Sequence, residues 1–336
     1  MKSSGAIKLF ILSLSLLAMV LAVGSPNSAH AKAYKWKLAT EVPPDWELNT
    51  FINEFCANVE KRTDGNVKIA HYNAGQLGGY EELYTVMKQG GIAMVLGPPD
   101  PGYDPRLNFL FMPYVVTNMD QVEKQYSPDG FAWKTMDEIL SEQGVKVVTM
   151  LDLGFFEVVN NKRPIRTPQD AQGIKIRVMR YKGQEVFYSA LGFAPIPMDM
   201  GESITALQTG VIDGEGCNGS FLHALYLKGL FKYNTPLHAF YESAAILVNQ
   251  SMFTKLPEAY QKIVSEEGVK LMKRQRQWLL DNAEGLLQMM EKDGVKVERL
   301  TPAELDVFIK IGRGTWPQME ELIGKDLMDR LIKAVQ

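Results

Sequence analysis

Apolar and polar positions along this chain fall into two alternating rhythms. "YKWKLAT", from Tyr34, alternates with a period of two, which predicts a strand. "PDWELNTFINEFCANVEKRTDG" then spaces its apolar residues three and four apart, predicting a helix from near Asp45 to Gly65. "NVKIAHY" reads as a strand, "GGYEELYTVMKQG" as a helix and "IAMVLG" as an apolar strand. "GVKVVTMLDLG" and "FFEVVNN" are two further strands. Strand and helix in alternation predict parallel β-α-β units.

The stretch "GIKIRVMRYKGQEVFYSALG" changes rhythm within itself. Ile174, Ile176 and Val178 alternate with Lys175, Arg177 and Met179, and a helix-like run follows from near Tyr181. Arg177 therefore falls near the carboxyl end of a strand. "LHAFYESAAILVNQ" (Leu237–Gln250) is long for one strand and is expected to cross between domains. From Pro257 to Gly294 a single helical pattern persists, with proline at its first turn and a closing glycine. Such a helix outreaches one ordinary domain and is expected to run along two, with Gly268 and Gly285 as points where it could bend. Its apolar heptads are not sustained, which argues against a coiled coil.

The first 31 residues follow neither rhythm. Lys2 and Lys8 precede an apolar run from Leu9 to Val23, and Ala29-His30-Ala31 has the small-x-small form of a cleavage site. This predicts an exported, soluble protein beginning at Lys32; an uncleaved anchor helix is the alternative. Its removal takes two lysines from a chain of net charge −3, so no basic surplus points to nucleic acid. With 336 residues, 46% hydrophobic, there is room for two domains. Export permits a disulfide, but only Cys56 and Cys217 are present, and Cys56 sits at core spacing among Phe51, Phe55 and Val59.

Catalytic patterns are missing. His71, His223 and His238 form no H-E-x-x-H or H-x-E motif, and "GEGCNG" lacks the spacing of a phosphate-binding loop. No metal or cofactor is called for. An exported two-domain α/β chain without such chemistry suggests a binding protein with its ligand between the domains. Arg177, at a strand's carboxyl end, lies where α/β sheets hold ligands. Its planar fork matches a carboxylate through two parallel hydrogen bonds, although by residue type alone a solvated surface arginine is the commoner reading.

The stretch Arg163–Asp213 resembles the signature region of the DctP family, the substrate-binding subunits of TRAP transporters. The matching pieces are "TPQDAQGIKIRV", "ALGFAPIPM" and "ESITALQTGVIDG", with "KLATEVPP", "GQLGG", "FMPYVVTN" and "VNQSMFTKLPEAYQKIV" elsewhere. The resemblance implies a type II-like, two-lobed α/β periplasmic binding protein with a long helix along both lobes. Residues 1–31 are then signal peptide, 32–154 plus about 243–285 the first lobe, and 155–242 plus about 286–336 the second. It also implies a monomeric receptor, not an enzyme, that captures a small organic anion and delivers it to TRAP membrane permease subunits. A sensor-associated binding protein and an exported enzyme on the same scaffold are the alternatives.

Arg177 matches the family arginine that clamps the ligand carboxylate. Departures bear on the substrate. Glu157 stands where many members carry a second arginine, and Cys217, followed by Asn218, stands at a family asparagine. Glu41, Tyr80, Phe156, Met200 and Tyr241 fall at other expected cleft positions. Two readings of Glu157 follow. Either it accepts a hydrogen bond from a hydroxylated or zwitterionic ligand, or it pairs with Arg177 or turns away. A dicarboxylate is disfavoured by repulsion; a small carboxylate or sulfonate fits.

Overall fold

The computed structural model describes residues 33–335, so the export segment at residues 1–31 lies outside the described residues. In chain order the strands are β1 (Tyr34–Ala39), β2 (Val67–Tyr72), β3 (Met94–Gly97), β4 (Val145–Phe155), β5 (Glu157–Asn160), β6 (Lys175–Val178), β7 (Ala194–Pro197), β8 (Gly214–Cys217), β9 (Tyr233–Thr235), β10 (Tyr241–Asn249) and β11 (Lys296–Val297). They form two sheets, one ordered β2-β1-β3-β10-β4 and the other β11-β9-β5-β8-β6-β7. Each sheet is the centre of one lobe.

The first sheet is apolar on both faces, as expected where helices cover both sides. Ala245 and Leu247 of β10 point into one layer with Leu110, Val122 and Met136. Ala244, Ile246 and Val248 point into the other with Ile52, Phe55 and Val264. In the second sheet, β7 ("APIP") is tolerated only at an edge, because Pro195 and Pro197 offer no backbone N–H.

The chain passes between the lobes at several points. β4 ends at Phe155 in the first sheet, and β5 begins at Glu157 in the second. β9 and β10 return the chain across residues 236–240. These two crossings are tied together: Phe156 N–H donates to the Phe240 carbonyl (2.8 Å), and His238 N–H donates to that of Phe156 (3.0 Å). Gly154 (φ 104°) and His238 (φ 53°) both bend the backbone there, and the His238 ring stacks on Phe155 at 4.7 Å.

The long helix is Glu258–Lys292, about 52 Å at 1.5 Å per residue. Val264, Gly268, Leu271, Met272, Gln275 and Leu279 are buried in steps of three and four against the first lobe. Met290 is buried in the second lobe beside Val159 and Phe221. The helix is unbroken. Gly268, expected as a bend, is a close-approach site: a Cβ there would come within 2.6 Å of the Val148 carbonyl.

One expected boundary is corrected. The sequence places the chain beyond about residue 286 in the second lobe. Helix Pro302–Gly314 does pack there through Phe308, but Trp316, Met319, Ile323, Leu327 and Leu331 pack into the first lobe's core. Trp316 Nε1 also donates to the Pro113 carbonyl (2.8 Å). The C-terminal apolar stripe covers first-lobe residues Leu107–Phe111, which would otherwise face water.

Candidate functional site

Both sheets aim strand ends at the gap between lobes. β1 and β3 end there, and the antiparallel β10 starts there. From the other side come the carboxyl ends of β6 and β8 and the start of β5. On the first-lobe side a recess of about 180 Å³ is lined by Glu41, Trp46, Tyr80, Gly97, Leu153 and Ala244. The Tyr80 ring lies flat against β3 because residue 97 is glycine; a Cβ would fall 1.6 Å from the ring. Its hydroxyl donates to the Pro98 carbonyl (2.7 Å). Glu41, exposed, accepts from the Tyr80 N–H (3.2 Å), which supplies a partner to the first turn of helix Tyr80–Lys88.

Arg177 sits in β6 opposite Glu215 of β8 and Ile196 of β7, and is 4% exposed. Its Nε donates to the Met198 carbonyl (3.0 Å). Nη1 stands 3.9 Å from Glu215 Oε2, too far for a hydrogen bond. Among the described residues, the terminal nitrogens thus reach no hydrogen-bond acceptor. Glu215 is wholly buried and neither carboxyl oxygen accepts a hydrogen bond. Burial pushes its carboxyl up, while the nearby Ser203 hydroxyl and then the Arg177 charge draw it down.

Glu157 is held away from Arg177. Its carboxylate accepts from Ser220 N–H (2.9 Å), Ser220 Oγ (2.6 Å) and Asn234 Nδ2 (2.5 Å). β8 lies between β5 and β6, so the two residues stand two strand spacings apart, roughly 10 Å. Burial raises the Glu157 carboxyl, and the Ser220 and Asn234 donors offset that. It borders a different cavity, about 300 Å³, walled by Phe155, Asn218, Phe221, His238 and Leu280 along the long helix.

The remaining expected positions divide. Asn218 Nδ2 donates to the Leu153 carbonyl (3.2 Å), a link between lobes. Met200 is half-buried at the first turn of its helix, against the cluster that also holds Trp46. Cys217 is buried opposite Glu157, its thiol far above the ordinary range through burial. Cys56 is also buried, pushed up to about 12, and both cysteines are free. Phe156 and Tyr241 do not face the cleft. Phe156 is in the second lobe's core against Phe240 (5.8 Å). Tyr241 is under the first sheet against Tyr126 (5.0 Å), near Asp152. Strand alternation decides both: the side chains after them, Glu157 and Glu242, point the other way.

Glu242 is the residue that sequence reading missed. It lies on the Ala244 face of β10, one pleat nearer the second lobe, opposite the side-chain-free Gly154. It is partly exposed and, among the described residues, has no hydrogen-bond or ion-pair partner. Burial pushes its carboxyl up to about 7, against the pull of Arg177. Trp46 was also missed; its ring meets Phe221 of the second lobe at 4.8 Å. A lone acid in the apolar run "AFYESAAILVN" was the available signal for Glu242.

Two lobes on separate sheets, crossing strands and a shared helix define the class of two-lobed extracytoplasmic binding proteins. The chain belongs to the DctP family of bacterial extracellular solute-binding proteins (family 7), which it matches over residues 38–322. It is similar to the ectoine-binding periplasmic protein TeaA of Halomonas elongata, 26% identical over 94% of each chain. It is also similar to the C4-dicarboxylate-binding protein DctP of Rhodobacter capsulatus, 28% identical over 71% of this chain and 72% of that one. A TRAP solute-binding protein of Ralstonia eutropha, solved with bound (S)-2-acetolactate, superposes with a TM-score of 0.77 at 25% identity, over 90% of this chain and 98% of that one. One from Ochrobactrum anthropi superposes with a TM-score of 0.83 at 20% identity, over 91% and 95%, and shares the fold.

Proposed function

We propose that this protein is exported, acts as a monomer, and captures one small organic anion, a carboxylate or sulfonate, between its lobes for delivery to TRAP membrane permease subunits. It binds and releases its ligand unchanged and uses no cofactor. No helix among the described residues is long and apolar enough to cross a membrane, in keeping with a receptor that meets the permease from outside. One observation carries the reading: Arg177 is nearly buried at a strand end in the interlobe gap, with its terminal nitrogens free of hydrogen-bonded protein acceptors. A buried guanidinium left in this way is stabilised by an anion that takes both nitrogens. The relatives' recorded ligands, ectoine, a dicarboxylate and acetolactate, all carry carboxylates.

A thermal-shift screen over small carboxylates and sulfonates tests this, because a ligand that binds only the folded state raises its melting temperature. Stabilisation by a member of either class, lost in Arg177→Ala, is expected. No stabilisation by any of them contradicts the reading.

A further inference from the structure

Among the described residues, Arg177 is not the only ionisable side chain in the cleft whose end makes no hydrogen bond to the protein. Glu215 already stands 3.9 Å behind it, wholly buried, on the neighbouring strand. Glu242 approaches from the first lobe on the recess face of β10, opposite Gly154. The charge of one guanidinium thus acts on two carboxyl groups, that of Glu215 on the adjoining strand and that of Glu242 at the start of β10. Glu157 does not enter this count, since three donors from Ser220 and Asn234 already hold it. Tyr181 and Cys217, the other ionisable side chains that sense both Arg177 and Glu242, are neutral when protonated.

The count has a consequence for the ligand. A monoanion seated on Arg177 adds negative charge to a site already short of positive charge, and a dianion adds more. Glu242 then stays an unpaired carboxylate in a confined space, which is costly. A net-neutral ligand with one acidic and one cationic end satisfies both orphaned groups at once.

Resting on the receptor reading above, we propose that Glu242 is a second ligand contact that accepts a cationic nitrogen, so that the cleft selects a compact zwitterion whose acid group sits on Arg177. Discrimination against plain hydroxy acids comes from Glu242: they offer it no positive charge. Selectivity of this kind uses repulsion as much as attraction.

The test compares two probe sets on the exported protein at pH 8, by thermal shift and then calorimetry. The zwitterion set is ectoine, glycine betaine and L-proline; the anion set is D-erythronate, pantoate, acetolactate and succinate. Stabilisation by a zwitterion is expected, with affinity reduced about 30-fold or more in Glu242→Gln, since losing one partner of a confined charge pair is expensive. Glu242→Gln should also gain affinity for the hydroxy monoanions, which a variant that is merely misfolded would not do. Stabilisation of the wild type by the anion set alone, unchanged in Glu242→Gln, overturns the Glu242 assignment and leaves the receptor reading intact. Stabilisation by neither set overturns the Glu242 assignment, and the wider screen of carboxylates and sulfonates then decides the receptor reading separately.

Discussion

Trp46 of the first lobe meets Phe221 of the second with ring centroids 4.8 Å apart. Trp46 lies in the loop that follows β1, and Phe221 in the short helix that follows β8, so each ring is carried by the end of a strand facing the cleft. The contact joins the apolar layers of the two lobes. Parting of the lobes would break this contact, so it is expected to act as a latch on a ligand-bound cleft.

Trp46→Ala should therefore speed ligand release. An aromatic pair contributes roughly 0.5–1.5 kcal/mol beyond area burial, which corresponds to a factor of about 2–12 in affinity. Most of that loss should appear in the dissociation rate. Stopped-flow fluorescence with the best ligand of the screen checks it; a loss confined to the association rate argues against a latch.

A second relationship sets stability. Arg276 of the long helix donates through Nε to Asp152 Oδ2 (2.6 Å), and Asp152 is 1% exposed. The Gln275 amide brackets the same residue, accepting from Asp152 N–H and donating to its carbonyl, both at 2.8 Å. Asp152 lies two residues before Gly154, so the long helix grips β4 just ahead of the crossing. Arg276→Ala leaves a buried carboxylate uncompensated and should destabilise the fold by about 3–5 kcal/mol. Urea unfolding measures this, and the double variant Asp152→Asn/Arg276→Met should recover much of it.

Glu242 makes the empty protein sensitive to pH. Its carboxyl is raised from 4.5 to about 7 in the fold, so the ionised form is disfavoured there relative to the unfolded chain. Below the unfolded value both states are protonated and there is no penalty. As pH rises from about 4.5 to 7 the unfolded chain ionises first, and this group's contribution to stability falls. Glu242→Gln should thus stabilise the ligand-free protein at pH 8 and leave it unchanged at pH 4.5. Melting curves across that range decide the matter, and equal effects at both ends contradict the placement of Glu242.

Arg177 was legible in the sequence because "KIRV" follows a clear period of two and ends in a helix start. The second-lobe order was less so: "GEGC" and "APIP" carry little strand signal, and they become strands by pairing with β6. β10 was visible as a strand but not its phase. "AFYESAAILVN" is apolar on both faces, so nothing local says whether Tyr241 or Glu242 meets the cleft. For Glu157 the obstacle was distance along the chain, since its partners lie 63 and 77 residues away. The C-terminal return to the first lobe was hidden for a similar reason: an apolar stripe shows that a helix docks, not on which lobe.

Arg177 is proposed to hold the acid group of the ligand. Titration calorimetry of wild type and Arg177→Ala, with the ligand that gives the largest thermal shift, addresses it directly. A dissociation constant raised by about 100-fold or more is expected, the cost of removing one partner of a buried charged contact. An unchanged dissociation constant in a folded Arg177→Ala protein would contradict it.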